Sequence, residues 1–280
     1  MPQVTLNQAT IEYHALGPDD SPHPPVLFVH GILVDHRLWS KVAEALAHKG
    51  FRCILPDLPL GSHRIPVDGS VELTPPAVAE MVHELIAALE LRDATLVGSD
   101  TGGGLCQLLV DAHPDDVGRL VLTNCDAFEK FPPFPFNAVF AAMRGPRTIR
   151  SLAKLMKVAT LRRSPLGYGL LLNPGDDALT ASWVEPASTD PRIAQNLATL
   201  LRAVAAMDLT DVATRLPRFG KPVTLVWGMA DRCFTPALGR RLAAVFPNAA
   251  MTEVPGARTF VALDAPAAVV DAIETVGVRT

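Results

Sequence analysis

Short apolar runs that end in glycine or proline alternate, along most of this chain, with stretches of helical spacing. "PVLFVHG" (25–31) precedes "RLWSKVAEALAHKG", which stops at Gly50, and "FRCILPDL" precedes "TPPAVAEMVHELIAALEL", with Thr74 placed as a cap. "ATLVGS" runs into "TGGGLCQLLVDAHP", and "GRLVLTNCD" follows. After a break the pattern resumes with "KPVTLVWG", "TPALGRRLAAVF", "AAMTEVPG" and "DAPAAVVDAIETV". Strands that alternate with helices pair in parallel, and a parallel sheet needs helices on both faces to bury it. The expected fold is therefore α/β, a mainly parallel sheet between two helical layers. "VTLN" and "TIEYHAL" form a leading hairpin in this reading.

The alternation breaks between about Ala127 and Met207. A phenylalanine- and proline-rich piece gives way there to helical segments without strands. An insertion between two sheet strands sits over the carboxyl ends of the strands, where a lid belongs. The expected organisation is a core of residues 1–126 and 208–280 carrying a helical cap of residues 127–207. Between Ala127 and Leu170 the basic residues are Lys130, Arg144, Arg147, Arg150, Lys154, Lys157, Arg162 and Arg163, against the single acid Glu129. Such a face either attracts an anionic substrate or is a solvated surface. Phe128, Phe131, Phe134, Phe136 and Phe140 either line an apolar pocket or pack beneath the lid.

Bulk properties exclude several classes. With 280 residues, 49% hydrophobic and 19% charged, the chain can bury a large core. A net charge of −4 gives no reason to expect nucleic acid as a partner. The first residues do not read as a signal peptide, and no apolar run is long enough to span a bilayer. No membrane partner and a cytosolic setting are therefore expected. Cys53, Cys106, Cys125 and Cys233 are widely spaced and read as buried free thiols. No metal-ligand spacing such as H-E-x-x-H occurs, so neither metal nor other cofactor is expected. The expected partner is a small-molecule substrate, and the sequence leaves a homodimer open.

The chemistry concentrates in "GSDTGGG" (98–104). A sharp strand-to-helix turn demands small residues two positions before and after its apex. Centred on Ser99, the flanks are Val97 and Thr101, both β-branched; centred on Asp100, they are Gly98 and Gly102. The sterics select Asp100. The spacing does not match the phosphate-binding G-x-G-x-x-G loop.

With the His30-Gly31 pair after the first buried strand, Asp231 in "VWGMADRCFTP" and the terminal "VPGARTFVALDAP", this turn resembles the α/β-hydrolase superfamily, and within it the aspartate-nucleophile branch of epoxide hydrolases and haloalkane dehalogenases. The resemblance implies a hydrolase acting on a C–O bond (epoxide or ester) or a carbon–halogen bond of a small, largely apolar substrate. It implies Asp100 as nucleophile, the backbone N–H groups of Ile32 and Thr101 as oxyanion hole, and Asp231 as the acid that orients a histidine. Asp126 is a second candidate for that acid, and Asp231 could instead form a salt bridge with Arg232 or Arg258.

The chain departs from the pattern where the histidine belongs. Thr259 stands in that slot, and no histidine follows His113. His36 and His63, in loops after the first two buried strands, are the candidates for a relocated base, against a plain surface or capping role. Thr101 stands where the dehalogenases usually have the tryptophan whose indole N–H holds the departing halide, and Ile32, where a second halide donor often sits, has no side-chain donor. Tyr168 is the one tyrosine of the expected lid, where epoxide hydrolases use a pair. Two other readings compete: a lyase, isomerase or cyclase with Asp100 as acid or base, which needs no activated water, and a non-catalytic binding protein on the same scaffold.

Overall fold

A computed structural model describes residues 1–143 and 145–276. Eight strands form one sheet: β1 (Gln3–Thr5), β2 (Thr10–Leu16), β3 (Val26–Val29), β4 (Cys53–Pro56), β5 (Ala94–Asp100), β6 (Val117–Cys125), β7 (Val223–Gly228) and β8 (Ala249–Val254). Their order is β1-β2-β4-β3-β5-β6-β7-β8. β1 and β2 form an antiparallel hairpin and β2 meets β4 antiparallel; every other pair is parallel. β3, β4 and β7 are buried along their whole length, as strands covered on both faces must be.

The connecting helices are those of the spacing. α1 (Ser40–His48) follows β3, and Gly50 at φ +87° ends its descent. α2 (Pro75–Ala88) begins at Thr74, whose hydroxyl accepts from the Ala77 N–H, with prolines where no N–H is needed. α3 (Thr101–Ala112) continues directly from β5.

Between β6 and β7 the chain leaves the sheet through α4 (Phe136–Ala142), α5 (Pro146–Leu155), α6 (Ala159–Arg162), α7 (Asp177–Trp183), α8 (Glu185–Thr189) and α9 (Pro191–Val204). α10 (Thr210–Arg215) leads back to β7. α11 (Pro236–Ala243) links β7 to β8, and α12 (Val261–Asp264) and α13 (Pro266–Thr275) close the described chain.

Specific polar ties fasten the inserted helices to the sheet. Trp183 donates its indole N–H to Asp35 at 2.9 Å, the Tyr168 hydroxyl donates to the carbonyl of Leu33, and Ser62 donates to the carbonyl of Trp183 at 2.7 Å. Trp183, Tyr168 and Phe260 form an aromatic cluster across the same boundary. Trp183 and Phe260 are fully buried, so each removes its apolar surface from water at the junction itself.

Candidate active site

The carboxyl ends of β3, β5, β6 and β7 deliver Ile32, Asp100, Asp126 and Asp231 to one side of the sheet. Asp100 is the last residue of β5 and adopts φ 55°, ψ −134°, outside the regions ordinary side chains occupy. The glycines around it have no room for a Cβ. One on Gly102 would lie 2.3 Å from the carbonyl oxygen of Val29, one on Gly103 2.3 Å from Cys125 Cβ, and one on Gly98 2.6 Å from Cys106 Sγ. The turn is closed by backbone pressed against backbone, and its corner residue points out of the sheet.

That corner meets a cavity of about 370 Å³. Ile32, Leu33, Asp100 and Thr101 form its floor, and residues of the inserted helices, Phe136, Met143, Ile149, Tyr168 and Leu197 among them, form its walls. Asp100 keeps some accessible surface only because the cavity opens onto it; protein atoms surround it otherwise. Burial pushes its carboxyl up to about 7. The N–H groups of Thr101 and Ile32 face the carboxyl and favour the ionised form, and the nearby Asp231 opposes it.

Asp231 lies behind this position. Its Oδ1 accepts from the N–H groups of Cys233 and Phe234 at 2.7 and 3.0 Å. Its Oδ2 accepts from Asn124 Nδ2 at 2.9 Å and from the Thr259 hydroxyl at 2.7 Å. Burial raises the Asp231 carboxyl to about 6, and these four donors hold it from rising further. Arg258 does not pair with it: the guanidinium donates instead to the carbonyls of Gly169 and Leu172. Nor does any ion pair among the described residues join Arg232 to Asp231. Thr259 is fully buried, so its hydroxyl takes the Asp231 lone pair and offers no base of useful pKa to the cavity.

Asp126 is fully enclosed beside Thr101, whose side chain favours its ionised form. Burial, with the charge of Asp100, outweighs this and pushes its carboxyl well above the ordinary carboxylate range. It does not line the cavity and does not meet Thr259.

Neither candidate for a relocated base, His36 or His63, lines the cavity. His36 donates to Asp57 at 2.8 Å and stacks on His14, with ring centroids 3.8 Å apart. The His63 ring accepts from the Gly61 N–H at 3.2 Å and faces Asn196 Oδ1 at 3.3 Å. Burial lowers His63 to about 4, so it is neutral near pH 7. His36 is held by Asp57 and His63 by Gly61 and the distant Asn196, which the loop positions alone could not reveal.

The phenylalanines divide. Phe136 and Phe140 line the cavity, Phe128 and Phe131 are buried in packing, and Phe134 faces solvent. Arg144 of the basic stretch lies outside the described residues. Asn124 was not singled out by the sequence, yet it clamps the Asp231 loop: it donates to the carbonyls of Gly228 and Phe234 and accepts from the Gly228 N–H. Its only sequence signal is an amide at the end of an otherwise apolar strand.

Among the described residues two groups bring ligating atoms within 4.8 Å: Glu80, His83 and His113, and Asp35, His36 and Asp57. The His83 and His113 rings stack at 3.8 Å and 7°, so their in-plane lone pairs run parallel rather than toward a common point. Asp35 and Asp57 already accept from Arg37, Trp183 and His36.

The family model described as the alpha/beta hydrolase fold matches residues 24–266. The chain belongs to the α/β hydrolase family. Haloalkane dehalogenase 2 of Mycobacterium tuberculosis is 28% identical over 268 residues, covering 91% of this chain and 88% of the relative. The non-heme chloroperoxidase CPO-A1 of Kitasatospora aureofaciens is 26% identical over 251 residues, covering 85% and 86%. Among solved structures, the enol-lactonase from Burkholderia xenovorans LB400 superposes with a TM-score of 0.75 at 19% identity over 98% of both chains, a likeness of fold. Hydrolases thus recur among the relatives of this α/β hydrolase.

Proposed function

We propose that this protein attacks an apolar electrophile with the Asp100 carboxylate, breaking a C–O or carbon–halogen bond and forming an ester that it hydrolyses slowly. One observation carries the reading: among the described residues Asp100, at a positive-φ corner, supplies the one carboxyl that lines a largely apolar cavity. Residues 127–207 act as the cap that closes it.

In the first step one Asp100 oxygen attacks the electrophilic carbon, and the carbon–leaving-group bond breaks with its electron pair on the leaving atom. The other oxygen stays against the Ile32 and Thr101 N–H groups and becomes the ester carbonyl. Those donors face where negative charge develops when water attacks that carbonyl. Collapse then returns Asp100 and releases the alcohol. Neither Thr101 nor Ile32 offers a halide an indole or amide side-chain N–H, which favours an epoxide; its ring strain drives opening, and the new alkoxide takes a proton. Tyr168, a phenol in the cavity wall, is placed to give it after releasing the Leu33 carbonyl.

Water activation is where the site is poor. With Thr259 on Asp231 and no imidazole on the cavity, general-base assistance of about 10²–10⁴-fold is lost. Incubation with an alkyl epoxide and measurement of intact mass tests the reading. The expected result is an adduct of the epoxide's mass, mapped to Asp100 and missing from Asp100→Asn. No adduct, with substrate unconsumed, overturns it.

A second reading has its own support. A carboxyl near 7 in a largely apolar cavity is tuned for proton transfer at neutral pH, so Asp100 could serve a lyase, isomerase or cyclase without any ester. Turnover that leaves no adduct, incorporates no oxygen from labelled water and is abolished in Asp100→Asn selects it.

A further inference from the structure

We propose that the outer face of the cap docks on an anionic membrane surface and takes up apolar substrate there. Among the described residues, every large apolar side chain that is exposed, Met1 aside, falls within residues 134–166: Phe134, Leu155, Val158, Leu161 and Leu166, at 43–76% exposure. Three of them, Leu155, Leu161 and Leu166, also line the cavity, so this patch is its rim. Scattered apolar residues on a surface mean little, but exposed apolar residues gathered at a cavity mouth, as Leu155, Leu161 and Leu166 are, mark a contact site.

Charge identifies the partner. Residues 130–175 hold eight basic side chains and no Asp or Glu, in a chain whose net charge is −4. The protein is therefore polarised, with a basic rim on an acidic body. Arg162 and Arg163 are spent inside the cap, on Thr180, Asp177 and nearby carbonyls. Arg147, Lys154 and Lys157 are exposed, and no ion pair among the described residues involves them. A second copy of this chain would set like charges face to face. Nucleic acid would match the charge and leave the leucines in water. An anionic bilayer satisfies both: apolar side chains enter the boundary between headgroups and acyl chains, and the basic side chains reach the phosphates.

The expectation of no membrane partner rested on the absence of a spanning segment, and no helix among the described residues is long and apolar enough to cross a membrane. Surface docking needs none. Uptake through the rim rests on the cavity being the substrate site, as proposed above; docking does not. An apolar substrate would then pass from the acyl layer into the cavity without crossing water.

Flotation with vesicles of phosphatidylcholine alone, and with about one third phosphatidylserine, tests the docking. The protein is expected to float with the anionic vesicles, at least tenfold more tightly than with neutral ones, and to be released by salt. Each basic residue near such a surface is worth about fivefold, so the triple change Arg147→Glu, Lys154→Glu, Lys157→Glu is expected to weaken binding about a hundredfold or more. The pair Phe134→Ser and Val158→Ser, neither on the cavity, is expected to weaken it at unchanged charge. Circular dichroism checks that both variants fold. Asp100→Asn is expected to float like the parent, which separates docking from chemistry. No flotation, equal binding to neutral vesicles, or a triple variant that binds like the parent overturns the proposal. So does a dimer, seen in sedimentation velocity, that Phe134→Ser and Val158→Ser disperse.

Discussion

At the scale of single residues, the site is defined by what Asp231 holds. Its carboxyl accepts a threonine hydroxyl at 2.7 Å, with three further donors fixing its other lone pairs. Thr259→His places a base in the position the acid already addresses. Ester release is expected to quicken by about 10²-fold or more, read as loss of the Asp100 adduct over time. Asp100 itself sets a pH signature. Attack needs the carboxylate, so adduct formation is expected to rise about tenfold per pH unit up to about 7 and level off above. Its raised value also enters stability. The folded protein prefers the proton, so this contribution is fully present below the unfolded value near 4 and is lost as pH rises through about 7. Asp100→Asn cannot ionise. It is expected to gain on the parent over that window, by about 2–4 kcal/mol at pH 8, and to match its pH dependence below 4, in denaturant titrations across pH.

Elements explain what the sequence could and could not disclose. The alternation from β3 to α13 was legible because period-two and helical patterns are local, and Thr74 and Gly50 mark helix ends within a few residues. The corner at Asp100 was legible for a steric reason: only glycine fits where Gly98 and Gly102 meet backbone and sulfur. The histidines were not. Their loops do emerge at strand ends, but Asp57 and Asn196 decide where the rings turn, and Asn196 lies 133 residues from His63. The division of the phenylalanines and the exposure of the leucines likewise depend on how short cap helices pack. The His63–Asn196 contact joins the loop after β4 to α9, and Asn196 also bonds both backbone groups of Val67. His63 is buried with its pKa lowered to about 4. Its contribution to stability is fully present above the unfolded value of about 6.5 and is lost as pH falls through about 4. His63→Gln keeps an amide donor and removes the titration. Acid titration of unfolding is expected to show the parent losing about 2–3 kcal/mol more than this variant across that window.

At the scale of the whole molecule, the cavity exists only while the inserted helices and the sheet stay together. Its floor comes from the ends of β3 and β5 and its walls from the insertion. The ties between them are buried: Trp183 to Asp35, Tyr168 to Leu33, Ser62 to Trp183 and His63 to Asn196. Asp35 also holds Arg37, so one carboxylate couples the insertion to the loop after β3. Insertion and sheet are therefore expected to unfold as one unit, because losing the insertion would strand these groups and expose the aromatic cluster to water. The three tryptophans report on this directly: Trp183 lies in the inserted helix α7, Trp39 just after β3 and Trp227 in β7. Fluorescence of Trp183 alone and of the other two is expected to follow a single denaturant transition with one midpoint. Trp183→Phe keeps a ring and removes the donor to Asp35, leaving a buried carboxylate one bond short. Its cost is expected to be about 1–3 kcal/mol, appearing as a shift of that shared midpoint rather than as a separate early transition of the insertion.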